Sequence, residues 1–167
     1  MGYWGYFVVG RGERPLAELD ALAGAEGMVL CESAPGGWQV WEYANGEGDV
    51  GNMNALALES GSPALFGYVM DSASVVVEAA GPESGAWTTC LARAAMAGYL
   101  GDGEEGLTVE DYFLEPGDAA ARAVAWAAEA GHEVPEEPLL DVLRAEPDLL
   151  AENLFFRMLD RLGVVPL

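Results

Sequence analysis

Apart from its carboxylates, the chain offers few side chains that act as acids, bases or nucleophiles. Its single histidine, His132, directly follows Gly131, a residue that ends a predicted helix. A serine or cysteine nucleophile would need His132 as its base, yet the chain has neither a Gly-x-Ser-x-Gly pattern nor a catalytic cysteine context. Carboxylates are so numerous that composition selects no catalytic pair. The sequence therefore favours a non-enzymatic protein without catalytic residues, and a small hydrolase or ligand-binding enzyme is the alternative.

Three glycine-rich segments partly match the sequence patterns of known binding loops. Gly10 and Gly12 follow a predicted strand, as in a dinucleotide-binding loop, but the third glycine position holds Pro15. A phosphate loop of the Walker type is excluded because the chain contains no lysine. Residues 45–51 and 102–106 resemble calcium loops, but both lack the required glycine and glutamate at the later positions of that motif. The sequence predicts no cofactor and no metal ion.

Charge is the strongest functional signal in the sequence. The chain carries 28 Asp and Glu against 7 basic residues, all Arg, which gives a formal net charge of -21. Such a surface repels nucleic acid and anionic membranes, and it attracts a basic protein at low salt. The acids are densest between residues 102 and 152, where the net charge is -13. Adaptation to high salt is the alternative explanation, and it predicts acids spread evenly over the surface.

Aromatic side chains are concentrated in two early predicted strands, where one face of a sheet would present them to a partner. Core packing is the alternative role for these rings. The candidate partner-binding residues combine three aromatic anchors with four acids from the charged region: Trp38, Trp41, Tyr43, Glu104, Glu105, Glu136 and Glu137.

Composition places the chain among folded proteins. Hydrophobic residues make up 51% of the 167 residues, which is too many for a disordered acidic chain. One domain is expected over residues 1–167, with a sheet-rich part at 1–92 and a helical part at 93–167 that also fits a subdomain. Cys31 and Cys90 lie in apolar, strand-like runs and are predicted to be buried free thiols. With no signal peptide and no long apolar run, a cytoplasmic location is expected.

The first part of the chain reads as an antiparallel sheet of about five to seven strands, residues 3–92. β-branched and aromatic runs bounded by turn residues predict these strands, and the last three follow one another with tight turns. In the strand at 38–43, Trp38, Val40 and Glu42 should share one face, whereas Gln39, Trp41 and Tyr43 share the other. The strands are predicted at 3–9, 28–33, 38–43, 64–70, 74–80 and 86–91.

The second part reads as helical. Asp118 is predicted to cap a helix that ends before Gly131, and Pro135 or Pro138 opens the next helix. The last helix, 149–162, carries an apolar stripe of Leu150, Leu154, Phe155, Met158, Leu159 and Leu162. Shorter helices are predicted at 16–22, 52–58 and 93–100, and residues 107–115 are left unassigned. The fold class expected is α+β, with a C-terminal helical layer.

A small, acidic, aromatic-rich chain without a catalytic or cofactor motif is similar in kind to inhibitors and immunity proteins that neutralise basic nucleases or toxins. We therefore predict a non-enzymatic binding protein, an immunity-type or regulatory inhibitor of a basic protein partner. No direct nucleic-acid or membrane binding is expected. A nucleic-acid mimic is a second interpretation of the same charge.

Overall fold

The computed structural model describes residues 2–44, 50–100, 108–147 and 150–166. Its strands are β1 (Gly5–Arg11), β2 (Val29–Ala34), β3 (Trp38–Ala44), β4 (Ala64–Met70), β5 (Ser74–Gly81) and β6 (Gly85–Leu91). Its helices are α1 (Met53–Ser60), α2 (Arg93–Leu100), α3 (Val109–Tyr112), α4 (Pro116–Glu129), α5 (Glu136–Arg144) and α6 (Ala151–Arg161). Two 3-10 turns, Leu16–Glu18 and Asp20–Leu22, follow β1.

The strands form one six-stranded sheet in the order β2-β3-β1-β4-β5-β6. Every neighbouring pair is antiparallel, so the predicted α+β class with an antiparallel sheet is confirmed. The β2–β3 turn depends on Gly36 and Gly37, whose φ angles of 84° and 86° lie in the left-handed region that residues with a Cβ avoid.

Helices cover both faces of the sheet. On one face, α4, α5 and α6 pack over side chains that include Val9, Val40, Val77 and Leu91, and together they form one large apolar cluster. On the other face, α1 and the 3-10 turns cover one end of the sheet, while α2 and α3 cover a smaller cluster around Cys90. The predicted alternation along β3 is confirmed, because Trp38 and Val40 join the first cluster whereas Trp41 and Tyr43 belong to the opposite face.

Trp126 of α4 connects the helical layer to one end of the β4–β5 pair. Its side chain is fully buried, and its Nε1 donates hydrogen bonds to the carbonyl oxygens of Ala64 and Ala80 at 3.2 and 3.1 Å. Those two alanines face each other on β4 and β5. The indole ring of Trp126 lies 5.8 Å from that of Trp38, between centroids, so β3 also contributes to this contact.

The predicted first residues of two helices, α4 and α6, were wrong. The helix predicted to begin at Asp118 starts earlier, at Pro116, with Glu115 in the extended N-cap conformation, so Asp118 lies in the first turn. Leu150 is 43% exposed and outside the apolar stripe, because it is itself the extended N-cap residue that precedes α6. The five other stripe residues are buried as predicted.

The helix predicted over 16–22 is instead two separate 3-10 turns. Leu19 between them is extended, with φ -78° and ψ 145°, so no continuous helix forms. Distant side chains bind peptide N–H groups of these turns: Gln39 Oε1 accepts from Leu16 N, and the Glu59 carboxylate accepts from the N–H groups of Asp20 and Ala21. Tertiary contacts, and not the local apolar periodicity, therefore decide the conformation of this segment.

The prediction for Cys31 was also wrong, whereas Cys90 is buried as expected. Cys31 is exposed because β2 is an outermost strand, where a register shift between Leu30 and Glu32 leaves Cys31 outside the ladder. In the part of the chain that the structure describes, no helix is long and apolar enough to cross a membrane.

We predict that Trp126→Phe lowers the free energy of unfolding by about 1 to 3 kcal/mol, because two buried carbonyl groups lose their indole donor. Urea denaturation measures the change. Trp4→Phe is the control, since Trp4 is 41% exposed and its replacement should cost less than about 0.5 kcal/mol. Equal losses for the two variants would contradict the anchoring role of Trp126.

Candidate functional site

A groove of about 520 Å³, hereafter the acidic groove, runs along the β6 edge of the sheet. Its floor comes from β6, and its walls come from α3, the segment that follows it and the first turns of α4. The residues that line it are Ala86, Trp87, Thr88, Glu110, Asp111, Tyr112, Phe113, Leu114, Glu115, Asp118 and Arg122.

Hydrogen bonds to Leu114 hold the wall of the acidic groove against the sheet. Its N–H donates to the carbonyl oxygen of Thr88 at 3.0 Å, so this segment partly continues the pairing of β6. Its carbonyl oxygen accepts from Thr89 Oγ1 and from Arg93 Nη1, both at 3.1 Å. Three bonds from one residue therefore place the acids on either side of it along the edge of the sheet.

The carboxylates in the groove differ in what they contact. Asp111 accepts from Thr108 N at 2.5 Å at the start of α3, and Glu110 lies 3.9 Å from Arg93 Nη2. Glu115 and Asp118 are exposed, and neither side chain makes a hydrogen bond or ion pair with any described residue. The groove therefore holds two carboxylates that the described structure leaves without a partner.

Arg122 is the one cationic side chain among the lining residues. Its Nη2 donates to the carbonyl oxygen of Ala86 at 2.7 Å, so the guanidinium is held at the floor. The lining residues thus include four carboxylates and one cationic side chain, so negative charge is in excess in the groove.

Aromatic side chains accompany these charges. Trp87 is 5% exposed, and its Nε1 is buried without a hydrogen-bond partner in the described part of the chain. Tyr112 is 52% exposed at the rim, and its ring centroid lies 6.4 Å from that of Phe113. An accessible ring beside carboxylates suits a cationic side chain, because the ring face and the carboxylates both attract positive charge.

Trp38 does not serve as the accessible anchor that the sequence suggested. It is 1% exposed and packs between Trp126 and Arg11, whose guanidinium lies 5.1 Å from the centre of the Trp38 ring. Tyr43, another predicted anchor, is 7% exposed in the core of the opposite face. Trp38 is buried because α4 covers one face of β3. Tyr43 is buried because the 3-10 turns cover the other face.

Trp41 is half-buried and lines a second, smaller groove of about 320 Å³ near the β2 edge. Its Nε1 donates to Gln39 Oε1 at 2.8 Å, and the Gln39 amide in turn donates to the carbonyl oxygens of Gly12 and Arg14. Gln39 therefore fixes the loop that forms one wall of this groove. Leu30, 46% exposed, lies beside Trp41 on the neighbouring strand.

The two predicted acids that the structure describes do not line either groove. Glu136 and Glu137 are exposed in the first turn of α5 and line neither cavity, and Glu104 and Glu105 lie outside the described residues. Sequence reasoning named Asp118 only as a helix cap and assigned no element to residues 107–115, so it did not single out the groove acids Glu110, Asp111 and Glu115.

The remaining sequence candidates lie elsewhere. His132 contacts Trp38, with ring centroids 6.4 Å apart, and lines neither groove. The calcium-like loops fall largely on residues 45–49 and 101–107, outside the described part of the chain. Within the described ranges, no group of three or more His, Cys, Asp or Glu is arranged to hold a metal ion.

Glu129, near the end of α4, binds the β5–β6 turn and so helps to hold α4 beside β6. Its carboxylate accepts from Glu83 N at 2.9 Å and from Ser84 N at 2.8 Å. Burial raises the pKa of this carboxyl, but the hydrogen bonds that it accepts outweigh burial and hold its pKa below the usual value. A Cβ on Gly81 would lie 2.2 Å from Glu129 Oε1, so the turn leaves room for this carboxylate and no more.

We predict that Glu129→Gln lowers stability at neutral pH by about 1 kcal/mol, because the amide accepts at only one of its two positions. Since the pKa of Glu129 is lower in the folded state, the ionised group stabilises the fold above the unfolded pKa. This stabilisation is lost as the pH falls through the folded value, below the ordinary pKa of about 4.3.

Denaturation of both proteins at neutral and acidic pH measures this difference. Glu133→Gln is the matched control, since Glu133 is exposed just after α4 and loses the same charge. A stability gap between wild type and Glu129→Gln that does not shrink in acid would contradict the role of the ionised group.

Comparison of the chain with protein-family models, with curated proteins and with solved structures gives no match.

Proposed function

We propose that the protein is a non-enzymatic binding protein, an immunity-type or regulatory inhibitor that acts in the cytoplasm and holds a basic protein partner in its acidic groove. The observation that carries this proposal is the composition of the groove itself. Four carboxylates, an accessible tyrosine and a largely buried tryptophan line it together, and two of the acids, Glu115 and Asp118, have no partner in the described structure.

Long-range charge supports the same proposal. A chain with a net charge of -21 attracts a basic protein over distances comparable to the Debye length, about 8 to 10 Å at physiological salt. Such attraction raises the association rate, whereas close contacts in a groove set the dissociation rate. The protein has both components, since its net charge acts at long range and its groove supplies close contacts.

A nucleic-acid mimic would use the same charge with a different partner. Its target would be a nucleic-acid-binding protein, and added DNA or RNA would displace the acidic protein from it. A direct test captures basic proteins from the source cell at low salt and then challenges the complex with nucleic acid. Turnover of a small substrate by the purified protein, with no basic protein captured, would favour the enzyme alternative instead.

We predict that the double variant Glu115→Gln, Asp118→Asn slows association with the captured partner roughly 3- to 10-fold at low salt. Dissociation should change less, because these acids are exposed and attract the partner mainly before contact. Surface plasmon resonance or stopped-flow measurements over a series of salt concentrations give both rates.

The matched control is Glu136→Gln, Glu137→Gln, which removes the same charge from exposed positions outside the groove. If only the overall charge matters, both double variants will slow association equally, and the groove is not the binding site. If the α5 variant has the larger effect, the partner binds the α5 surface, as the sequence had suggested.

Tyr112 should affect the dissociation rate more than the association rate. We predict that Tyr112→Ala speeds dissociation and weakens binding by about 2 kcal/mol, because an accessible ring at the rim supplies contact area. Tyr112→Phe keeps the ring and should bind nearly as wild type does. An unchanged dissociation rate in Tyr112→Ala would remove Tyr112 from the interface.

A further inference from the structure

Glu78 is a carboxylate in the middle of the sheet that the described structure leaves without a partner. It lies on β5, directly opposite Phe66 on β4 and Thr88 on β6, so all three share the face away from α4–α6. Its side chain is half-buried, and it makes no hydrogen bond or ion pair with any described residue. A carboxylate that has lost part of its hydration without gaining a donor is costly to keep charged.

Aromatic rings lie beside this carboxylate on the same face. The ring centroids of Tyr6 and Tyr68 are 4.5 Å apart, those of Tyr6 and Phe66 are 5.2 Å apart, and Trp4 lies 6.4 Å from Tyr68. Tyr68 is the diagonal neighbour of Glu78 across the β4–β5 pair, a separation of about 7 to 8 Å in such sheets. Trp4 is 41% exposed, and Phe66 and Tyr68 are partly exposed, so a ligand reaches this face.

These two features are the components of a site for an organic cation. Aromatic faces attract a guanidinium or ammonium group, and a carboxylate with little remaining hydration gives that group an ionic partner. Burial raises the pKa of Glu78, which is the expected cost of holding the carboxylate there without a cation. Among the described residues no cationic side chain pairs with Glu78, and Arg93 and Arg122 donate instead to the carbonyl oxygens of Leu114 and Ala86.

We propose that Glu78, Phe66 and Tyr68 bind an arginine side chain of the basic partner, an inference that rests on the proposed function. Continuity with the acidic groove supports an occupant from the same partner, because Thr88, the neighbour of Glu78 on β6, also lines that groove. A planar guanidinium stacks on aromatic rings and pairs with a carboxylate at the same time, which selects arginine over lysine.

The test uses butylguanidinium as a probe for the arginine side chain, so it does not depend on finding the partner. Nuclear magnetic resonance titration of the protein should show saturable shifts of the Tyr68 ring signals. Butylurea, a neutral analogue of similar shape, should give none. Glu78→Gln should weaken butylguanidinium binding roughly tenfold, whereas Glu83→Gln, an exposed acid in the β5–β6 turn that loses the same charge, should leave it unchanged.

A second pair of variants tests the aromatic component. Tyr68→Leu should weaken binding, and Tyr68→Phe should keep it, because the ring face rather than the hydroxyl contacts the cation. Thermal denaturation confirms that each variant is folded. Because Glu78 is half-buried and unpaired, its replacement by Gln should not lower the melting temperature.

The outcomes separate this inference from the proposed function. Butylguanidinium binding that persists in Glu78→Gln but is lost in Glu115→Gln, Asp118→Asn would place the cation in the acidic groove and overturn the inference, while the proposed function stands. Binding of tetramethylammonium without butylguanidinium would overturn the assignment to arginine. Binding at Glu78, with no basic protein captured from the cell, would support the cation site and overturn the proposed function.

Discussion

The hydrogen bonds from the Trp126 indole to the carbonyl oxygens of Ala64 and Ala80 fix α4 against the end of the β4–β5 pair. Small residues on the buried face of α4 let the helix approach closely enough for this contact, since five of its six buried positions, counting the C-cap Ala130, hold alanine. The placement of α4 in turn positions Arg122 and Asp118 beside β6. The acidic groove is therefore a consequence of how one helix docks, and β6 alone would be an open edge of the kind that proteins usually protect.

Two groups among the described carboxylates differ in what they contact. Glu59 and Glu129 accept hydrogen bonds from backbone N–H groups of distant turns, so their charge stabilises the fold. Glu115, Asp118 and Glu78 have no such partner in the described structure. The first group accounts for part of the acidic composition in structural terms, and the second group supplies the charge that is available for binding. Charge density along the chain therefore does not separate the acids that stabilise the fold from those that are available for binding.

Local patterns were sufficient for most of the sheet and several helices. β4, Ala64–Met70, and α2, Arg93–Leu100, have the predicted boundaries, because alternation, turn residues and helix stops act within a few residues of the chain. The assignment of opposite faces along β3 was also correct, since side chains alternate by geometry in any strand. The hairpins and the antiparallel sheet were also predictable, because short connections can join only strands that run in opposite directions.

By itself, the sequence determined the fold class, the order of the six strands along the chain and the sign of the net charge. Only the tertiary structure decided which aromatic residues are accessible: α4 buries Trp38, whereas Tyr112 stays exposed at the groove. It also decided which acids lie at the groove, because the hydrogen bond from Leu114 N to the carbonyl oxygen of Thr88 holds the neighbouring Glu115 at the edge of the sheet. Burial and pairing depend on contacts between residues far apart in the chain, and no local pattern records them.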